Sequence, residues 1–328
     1  MRAAVLSAPL KLKITDYSRP VPGPGEVLIK VTLAGVCGTD YSLYTGRFDL
    51  PLPVIPGHEG IGVIEELGPG VCSISVGQRV AIQPNFPCHT CSVCLAGYEN
   101  VCPSKIRLGL DTDGVFAQFV RVPAEYVWPI PEDMDDRVAA LAEPVAVAAH
   151  ALGLVPPREG DRVLIIGAGV IGLFALQLLE IEDVITTASD LAAPRLTLAE
   201  QLGADQTHLA DGGKKLKPSS FDLIYDTSGA PSALAQAVDL AAPGGRIALL
   251  GLPGEQYPVS TAQIVRKELK VTGSMIYTDE FPQVLDLLKS GVIQTGPFTD
   301  DVITLDNVEK TLNTFTDPDR VKTLISME

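Results

Sequence analysis

Four cysteines, Cys88, Cys91, Cys94 and Cys102, lie in the stretch CHTCSVCLAGYENVC with the spacing C-x2-C-x2-C-x7-C. Thiolates two residues apart in a tight loop can converge on one metal. Four of them make a closed tetrahedral zinc site with no position left for a substrate, so such a zinc is structural. Two disulfides or an iron–sulfur cluster would use the same residues. The N-terminus, MRAAVLSAPLKLKITD, has no long apolar stretch of the secretory kind, which argues against disulfides. The expectation is a reduced, cytoplasmic protein.

A second group could hold a metal with an open position: Cys37 in GVCGTD, His58 and Glu59 in IPGHEG, and Glu143 in LAEPVA. Thiolate, imidazole and carboxylate together suit zinc. With three protein ligands, a zinc acts as a Lewis acid toward a hydroxyl in the remaining position. Each residue taken singly has a plainer reading. Cys37 is a small buried hydrophobe, His58 a turn cap and Glu143 a solvated acid.

The run RVLIIGAGVIG carries Gly167-x-Gly169-x-x-Gly172 directly after a strand pattern and at the opening of a helix pattern. In that context the glycines allow a tight turn and close approach of backbone to a pyrophosphate, which meets the positive end of the helix. The next strand pattern ends at Asp190, 18 residues beyond Gly172. A carboxylate there accepts hydrogen bonds from adenosine ribose hydroxyls and repels a 2′-phosphate, which predicts NAD over NADP. Arg195 either packs over the adenine and ribose or faces solvent. The expected cofactor-binding set is Gly167, Gly169, Val170, Ile171, Gly172, Asp190, Arg195, Ser228 and Gly251.

The elements that must position these residues come in two styles. The first 145 residues read as β-rich, with EVLIKVTLAG, GIGVIEELG, RVAIQ and FAQFVRV punctuated by Pro and Gly. From Asp161 apolar strands alternate with helices: RVLIIG, VIGLFALQLLE, DVITTASD, APRLTLAEQLG, FDLIYDT, PSALAQAVDLA, RIALLG. That alternation predicts a parallel sheet with helices on both faces. LAEPVAVAAHALGLV reads as a helix crossing between the two parts, and part of the tail after Gly273 is expected to return to the first. The chain has 328 residues, 46% hydrophobic and 20% charged, with a net charge of −15. This suits two globular domains, contains no run of about 18 apolar residues that would span a membrane, and disfavours a nucleic-acid partner.

GVCGTD, PGHEGIGVIEELGPGV, the four-cysteine loop and GAGVIG, in that order, resemble the zinc-containing medium-chain alcohol and polyol dehydrogenases along nearly the whole chain. The resemblance implies an α/β fold. A GroES-like catalytic domain, 1–145 and 275–328, would stand beside a Rossmann NAD-binding domain, 146–274, with the active site in the cleft between them. It implies two zinc ions per subunit, the catalytic one at Cys37 and His58 with Glu59, Glu143 or both. Thr39 would be a proton-relay hydroxyl, and Asp40 would orient His58. AEPVAVAAH resembles the polyol branch, which favours Glu59 as the resting ligand and Glu143 as the alternate. A carboxylate next to His58 in the chain points the same way only if the loop bends sharply. The relay His and neighbouring Tyr of that branch are Ser42 and Leu43 here, and an Arg ahead of the late Tyr277 is Ile276, which predicts a less polar pocket than that of a sorbitol dehydrogenase. The reading is an NAD-dependent dehydrogenase of a secondary alcohol, a small-molecule substrate, in a homodimer or homotetramer. The rivals are a non-enzymatic NAD(H) sensor, for which loss of Cys37 or His58 would speak, and a zinc-independent quinone or enoyl reductase, which usually lacks both cysteine loop and GHE set.

Overall fold

A computed structural model describes residues 1–48, 50–213 and 215–327. It divides into two compact units. The first comprises 1–143, 281–291 and 295–328, and the second 144–280 and 292–294. The chain passes from one to the other inside the helix Ala142–Leu154, immediately after Glu143. The crossing helix thus starts in the first unit, and Val292–Gln294 stay with the second although the tail around them has returned to the first.

The first unit is built on a seven-stranded sheet whose organising strand is Glu26–Gly35. One edge of that strand pairs antiparallel with Glu59–Leu67. The other is shared by Phe119–Pro123, against Glu26–Lys30, and Leu324–Ser326, against Leu33–Gly35. A strand flanked on both edges should be apolar for most of its length, and EVLIKVTLAG is. Val27, Ile29, Val31, Ala34 and the following Val36 all join one core cluster, together with Ile55, Phe116 and Leu43. Each such side chain contributes about 1.5–3 kcal/mol by leaving water. An N-terminal hairpin, Arg2–Ala8 with Lys11–Asp16, precedes this sheet. Its short, mixed-polarity strands carry no strong sequence pattern.

The second unit is a six-stranded sheet, parallel throughout, in the order Gln206–Leu209, Ile185–Asp190, Arg162–Ile166, Phe221–Asp226, Ala241–Leu249, Lys270–Gly273. Numbered within the unit, that order is 3-2-1-4-5-6, the doubly wound arrangement that opens a crevice at the carboxyl ends of the strands. The two edge strands, Gln206–Leu209 and Lys270–Gly273, are too short and polar to show in the sequence pattern and are added by the structure. Leu164, Ile166, Ile224, Val238 and Ile247 fill a core between sheet and helices. No helix among the described residues is long and apolar enough to cross a membrane.

The second unit contains a buried ion pair. Arg246 donates to Asp161 and to the carbonyl of Pro156, and Asp161 also accepts the Arg158 N–H at 2.7 Å. Removing one member leaves the other charged and dry, a loss of about 3–5 kcal/mol. Asp161→Ala is therefore expected to lower the urea midpoint by that order of stability. A midpoint unchanged from wild type would show the pair to be dispensable.

Candidate active site

The first site is assembled around the end of strand Glu26–Gly35. Val36 continues its extended course, and Cys37 caps the helix Gly38–Tyr44. Asp40, three residues into that turn and fully buried, accepts the Cys37 N–H at 2.9 Å and the Gly57 N–H at 3.1 Å. One carboxylate thus ties the thiol-bearing loop to the histidine-bearing loop. Gly57 has φ +94°, a left-handed turn in which a Cβ would also collide with the Phe116 ring. This turn supplies the sharp bend that adjacent ligands require. Sγ of Cys37, a ring nitrogen of His58 and a carboxylate oxygen of Glu59 lie within 4.8 Å of one another. His58 and Glu59, neighbours in sequence, therefore share one focus.

Electrostatics favour a cation at that focus. Burial opposes a charged His58, but the facing Asp40 and Cys37 outweigh it and raise the imidazole well above its ordinary value. His58 Nδ1 is buried and faces Asp40 Oδ1 at 3.4 Å, with no hydrogen bond of good geometry among the described residues. Beside Glu59 lies a residue the sequence reading missed. Lys322 is buried, and its Nζ donates to Glu59 Oε2 and, at 3.1 Å, to the Val36 carbonyl. Burial disfavours its charge, but Glu59, Cys37 and Glu143 together raise it above the ordinary lysine value. The available signal was a lone charge in the apolar run VKTLIS, and any strand can carry one.

Glu143 is buried in the first turn of helix Ala142–Leu154, but it is outside the group of atoms that lie within 4.8 Å of one another. Thr39 is half-buried in the first turn of helix Gly38–Tyr44, and Ser42 lies one turn further along. Leu43 faces the core. Ile276 holds φ +44°, rare for a β-branched residue, and Tyr277 is buried.

The four cysteines of the second group bring their sulfurs together. Sγ separations are 3.4 Å for Cys91–Cys94, 3.5 Å for Cys88–Cys102, and 3.9 Å for Cys88–Cys94 and Cys91–Cys102. These are far beyond a sulfur–sulfur bond, and all four are free thiols. They match the edge of a tetrahedron with Zn–S bonds of about 2.3 Å, which is about 3.8 Å. Backbone N–H groups draw Cys88 down to about 6, whereas burial and its sulfur neighbours push Cys94 up to about 12. Four thiolates coexist here only with a cation among them. His89, at φ +56°, clamps the loop between Glu99 (2.8 Å) and the Tyr126 hydroxyl (2.7 Å).

In the second unit the glycine fingerprint sits at the carboxyl end of the central strand Arg162–Ile166. Gly167 takes φ +97°, and Gly169 caps helix Val170–Leu179, which begins with Val170 and Ile171. A Cβ on Gly172 would strike the Gly167 carbonyl and come within 2.8 Å of the Thr227 hydroxyl oxygen, whereas one on Gly169 meets nothing within 4 Å. The turn is thus closed inward and open outward, where a pyrophosphate would approach. Asp190 accepts the Ala168 N–H at 2.7 Å and the Ala192 N–H at 2.8 Å, and Arg195 is 4.0 Å away. Ser228, held by Asp226 at 2.7 Å, and Gly251, whose N–H reaches the Asp226 carbonyl at 3.0 Å, end the neighbouring strands.

Residues 23–132 match the alcohol dehydrogenase GroES-like domain, and residues 170–290 the zinc-binding dehydrogenase domain. The starvation-sensing protein RspB of Escherichia coli strain K12 is 39% identical over 307 residues, covering 90% of this chain and 89% of its own. The crystal structure of RspB from E. coli CFT073, complexed with NADH, superposes with a TM-score of 0.94 at 35% identity, covering 100% of this chain and 99% of that one. An L-threonine 3-dehydrogenase of Bacillus velezensis is 36% identical, covering 89% of each chain. A zinc-binding dehydrogenase of Sinorhizobium meliloti bound to NADP has a TM-score of 0.93 at 31% identity, covering 99% and 98%. The chain belongs to the zinc-containing medium-chain alcohol dehydrogenase family. It is an oxidoreductase with a GroES-like domain and a Rossmann domain.

The residues of this family member fit zinc at both places. One place offers four sulfurs and leaves no ligand position open. The other offers sulfur, nitrogen and oxygen from Cys37, His58 and Glu59, all within 4.8 Å of one another. Metal analysis of the purified enzyme is expected to find two zinc ions per chain. A mild chelator should remove the one at Cys37, His58 and Glu59 first, abolishing turnover while the circular dichroism is kept. Full activity with a single zinc would contradict the second site.

Proposed function

We propose that this dehydrogenase removes a hydride from the carbinol carbon of a secondary alcohol, a sugar alcohol, cyclitol or related polyol, and delivers it to NAD, giving the ketone. The observation that carries the reading is the convergence of Cys37, His58 and Glu59 on one focus. Cys37, His58 and Glu59 would hold a zinc there that supplies Lewis-acid polarisation of the substrate hydroxyl, and NAD would supply the hydride acceptor. Asp40 fixes the Cys37 loop and, through Gly57, the approach of His58. Glu59 would be the resting acidic ligand of such a zinc and Glu143 its alternate. Thr39 would relay the hydroxyl proton, releasing its own as it accepts it, toward the cofactor ribose and solvent, with Ser42, at i+3 on the same helix face, on that path. The relative named for dehydrogenation of L-threonine at its 3-position supports a hydroxyl-bearing donor.

A second reading, a simple secondary alcohol as substrate, is favoured by the apolar residues where polyol enzymes place polar ones. Leu43 packs in the core and brings no polar group to a substrate, and Ile276 offers only hydrocarbon. The test is a panel of polyols, cyclitols, aminocyclitols and simple secondary alcohols read by NADH absorbance. Turnover of hydroxyl-rich members supports the first reading, and turnover of simple alcohols alone supports the second. No turnover by zinc-replete enzyme, with NADH still bound, would support a sensor instead.

Asp190 supplies the cofactor preference. Its carboxylate is held by two backbone N–H groups, so it cannot swing aside for a 2′-phosphate without losing both. NAD is expected over NADP by at least about tenfold in kcat/KM, each tenfold being about 1.4 kcal/mol. Asp190→Ser should narrow the ratio. Equal use of both cofactors by the wild type would remove Asp190 from this role.

A further inference from the structure

Among the described residues Lys322 is the one buried cation at the candidate metal site, and nothing in the proposed chemistry uses it. Its surroundings are built for it. Residues 322–326 run antiparallel to the end of strand Glu26–Gly35, with the Val36 N–H on the Thr323 carbonyl at 3.0 Å. Thr323 is itself anchored through its hydroxyl to Asp301 at 2.6 Å. Glu59 and Leu324 both stand opposite Gly35, one on each edge of the strand. A Cβ on Gly35 would overlap Glu59 Oε2 and would lie 2.9 Å from Lys322 Nζ and 3.0 Å from its Cε. The missing side chain at residue 35 is the space in which the Glu59–Lys322 pair lies.

We infer that Lys322 is a positioning residue that shares the Glu59 carboxylate with the catalytic metal and thereby keeps this ligand exchangeable. The inference rests on the reading of Cys37, His58 and Glu59 as the zinc ligands. Two physical arguments carry it. The first is charge. With metal bound, Cys37, Glu59 and the buried Asp40 and Glu143 bring four negative charges against the two positive charges of zinc, and Lys322 supplies a third positive charge that cuts the excess from two to one. A buried site is costly when it is not neutral. The second is competition. A carboxylate whose Oε2 already receives an ammonium N–H has less charge to give a metal, so its bond to the metal is weaker and more readily replaced by water or substrate. A purely structural ion pair would hold the strand ends together but would leave ligand exchange untouched.

The test uses intact holoenzyme and two readouts. One is the rate at which a chelating dye takes the first, labile zinc, and the other is the separate values of kcat and KM. Lys322→Met and Lys322→Gln both remove the charge, and Gln keeps an N–H for Glu59 should Met compromise folding. Both should release zinc more slowly by about tenfold or more, the scale on which partners of metal ligands act. Both should also lower kcat more than they raise KM. Lys322→Arg should restore both values. Glu59→Gln should release zinc faster than wild type, and in Glu59→Gln/Lys322→Met the slowing should vanish, because there is no carboxylate left to free. Wild-type zinc release in both Lys322→Met and Lys322→Gln, with Glu59→Gln fast, overturns the inference and leaves the ligand reading standing. Slowed release that survives in the double variant also overturns it. Wild-type release in Glu59→Gln overturns the ligand reading itself.

Discussion

The candidate active site depends on the register of one strand. Glu26–Gly35 ends at a glycine that faces Glu59 on one edge and Leu324 on the other, and the next residues are Val36 and Cys37. Side chains alternate along a strand, so a slip of one residue on either edge would turn Glu59 or Lys322 to the opposite face. The register is held by burial. Val27, Ile29, Val31 and Ala34 are wholly or almost wholly removed from water, and a slip would expose them. The hydrophobic core and the placement of a sulfur, an imidazole, a carboxylate and an ammonium are therefore set by the same pairing.

Asp40 makes the second connection. A buried carboxylate needs partners, and this one finds them in two backbone N–H groups, of Cys37 three residues before it and of Gly57 17 residues after it. The residue that satisfies the helix N-terminus at Cys37 also fixes the turn before His58. Gly57 completes the arrangement by adopting a conformation that a side chain would strain. Rigid backbone brings the ligands near one another, so a metal would not have to gather them from a mobile loop.

The two metal positions differ because their donors do. Cys88, Cys91, Cys94 and Cys102 come from a single loop of fifteen residues pinned by His89, and four sulfurs complete a coordination shell. Cys37, His58 and Glu59 come from separate strand ends and leave the shell incomplete. A closed shell suits a clamp on a loop that has little core of its own, and an open one suits chemistry. In the other unit the same economy applies. Gly167 and Gly172 let helix and strand approach closely, and Asp190 is fixed by the backbone of the turn it serves.

The sequence by itself determined whatever depends on neighbours along the chain. The cysteine spacing, the glycine fingerprint with Asp190 after it, the alternation of apolar strands and helices from Asp161, and the pairing of His58 with Glu59 are all local patterns whose chemistry follows from residue type and distance in sequence. Only the tertiary structure decided the rest. It brought Glu59, and not Glu143, within 4.8 Å of Cys37 and His58, because Gly57 turns the chain beside His58 and Glu143 comes from a separate helix. It also set Lys322 against a glutamate 263 residues earlier. No periodicity signals such a contact. Its position follows from which strand edge the tail occupies, and that choice is made by burial summed over the whole sheet.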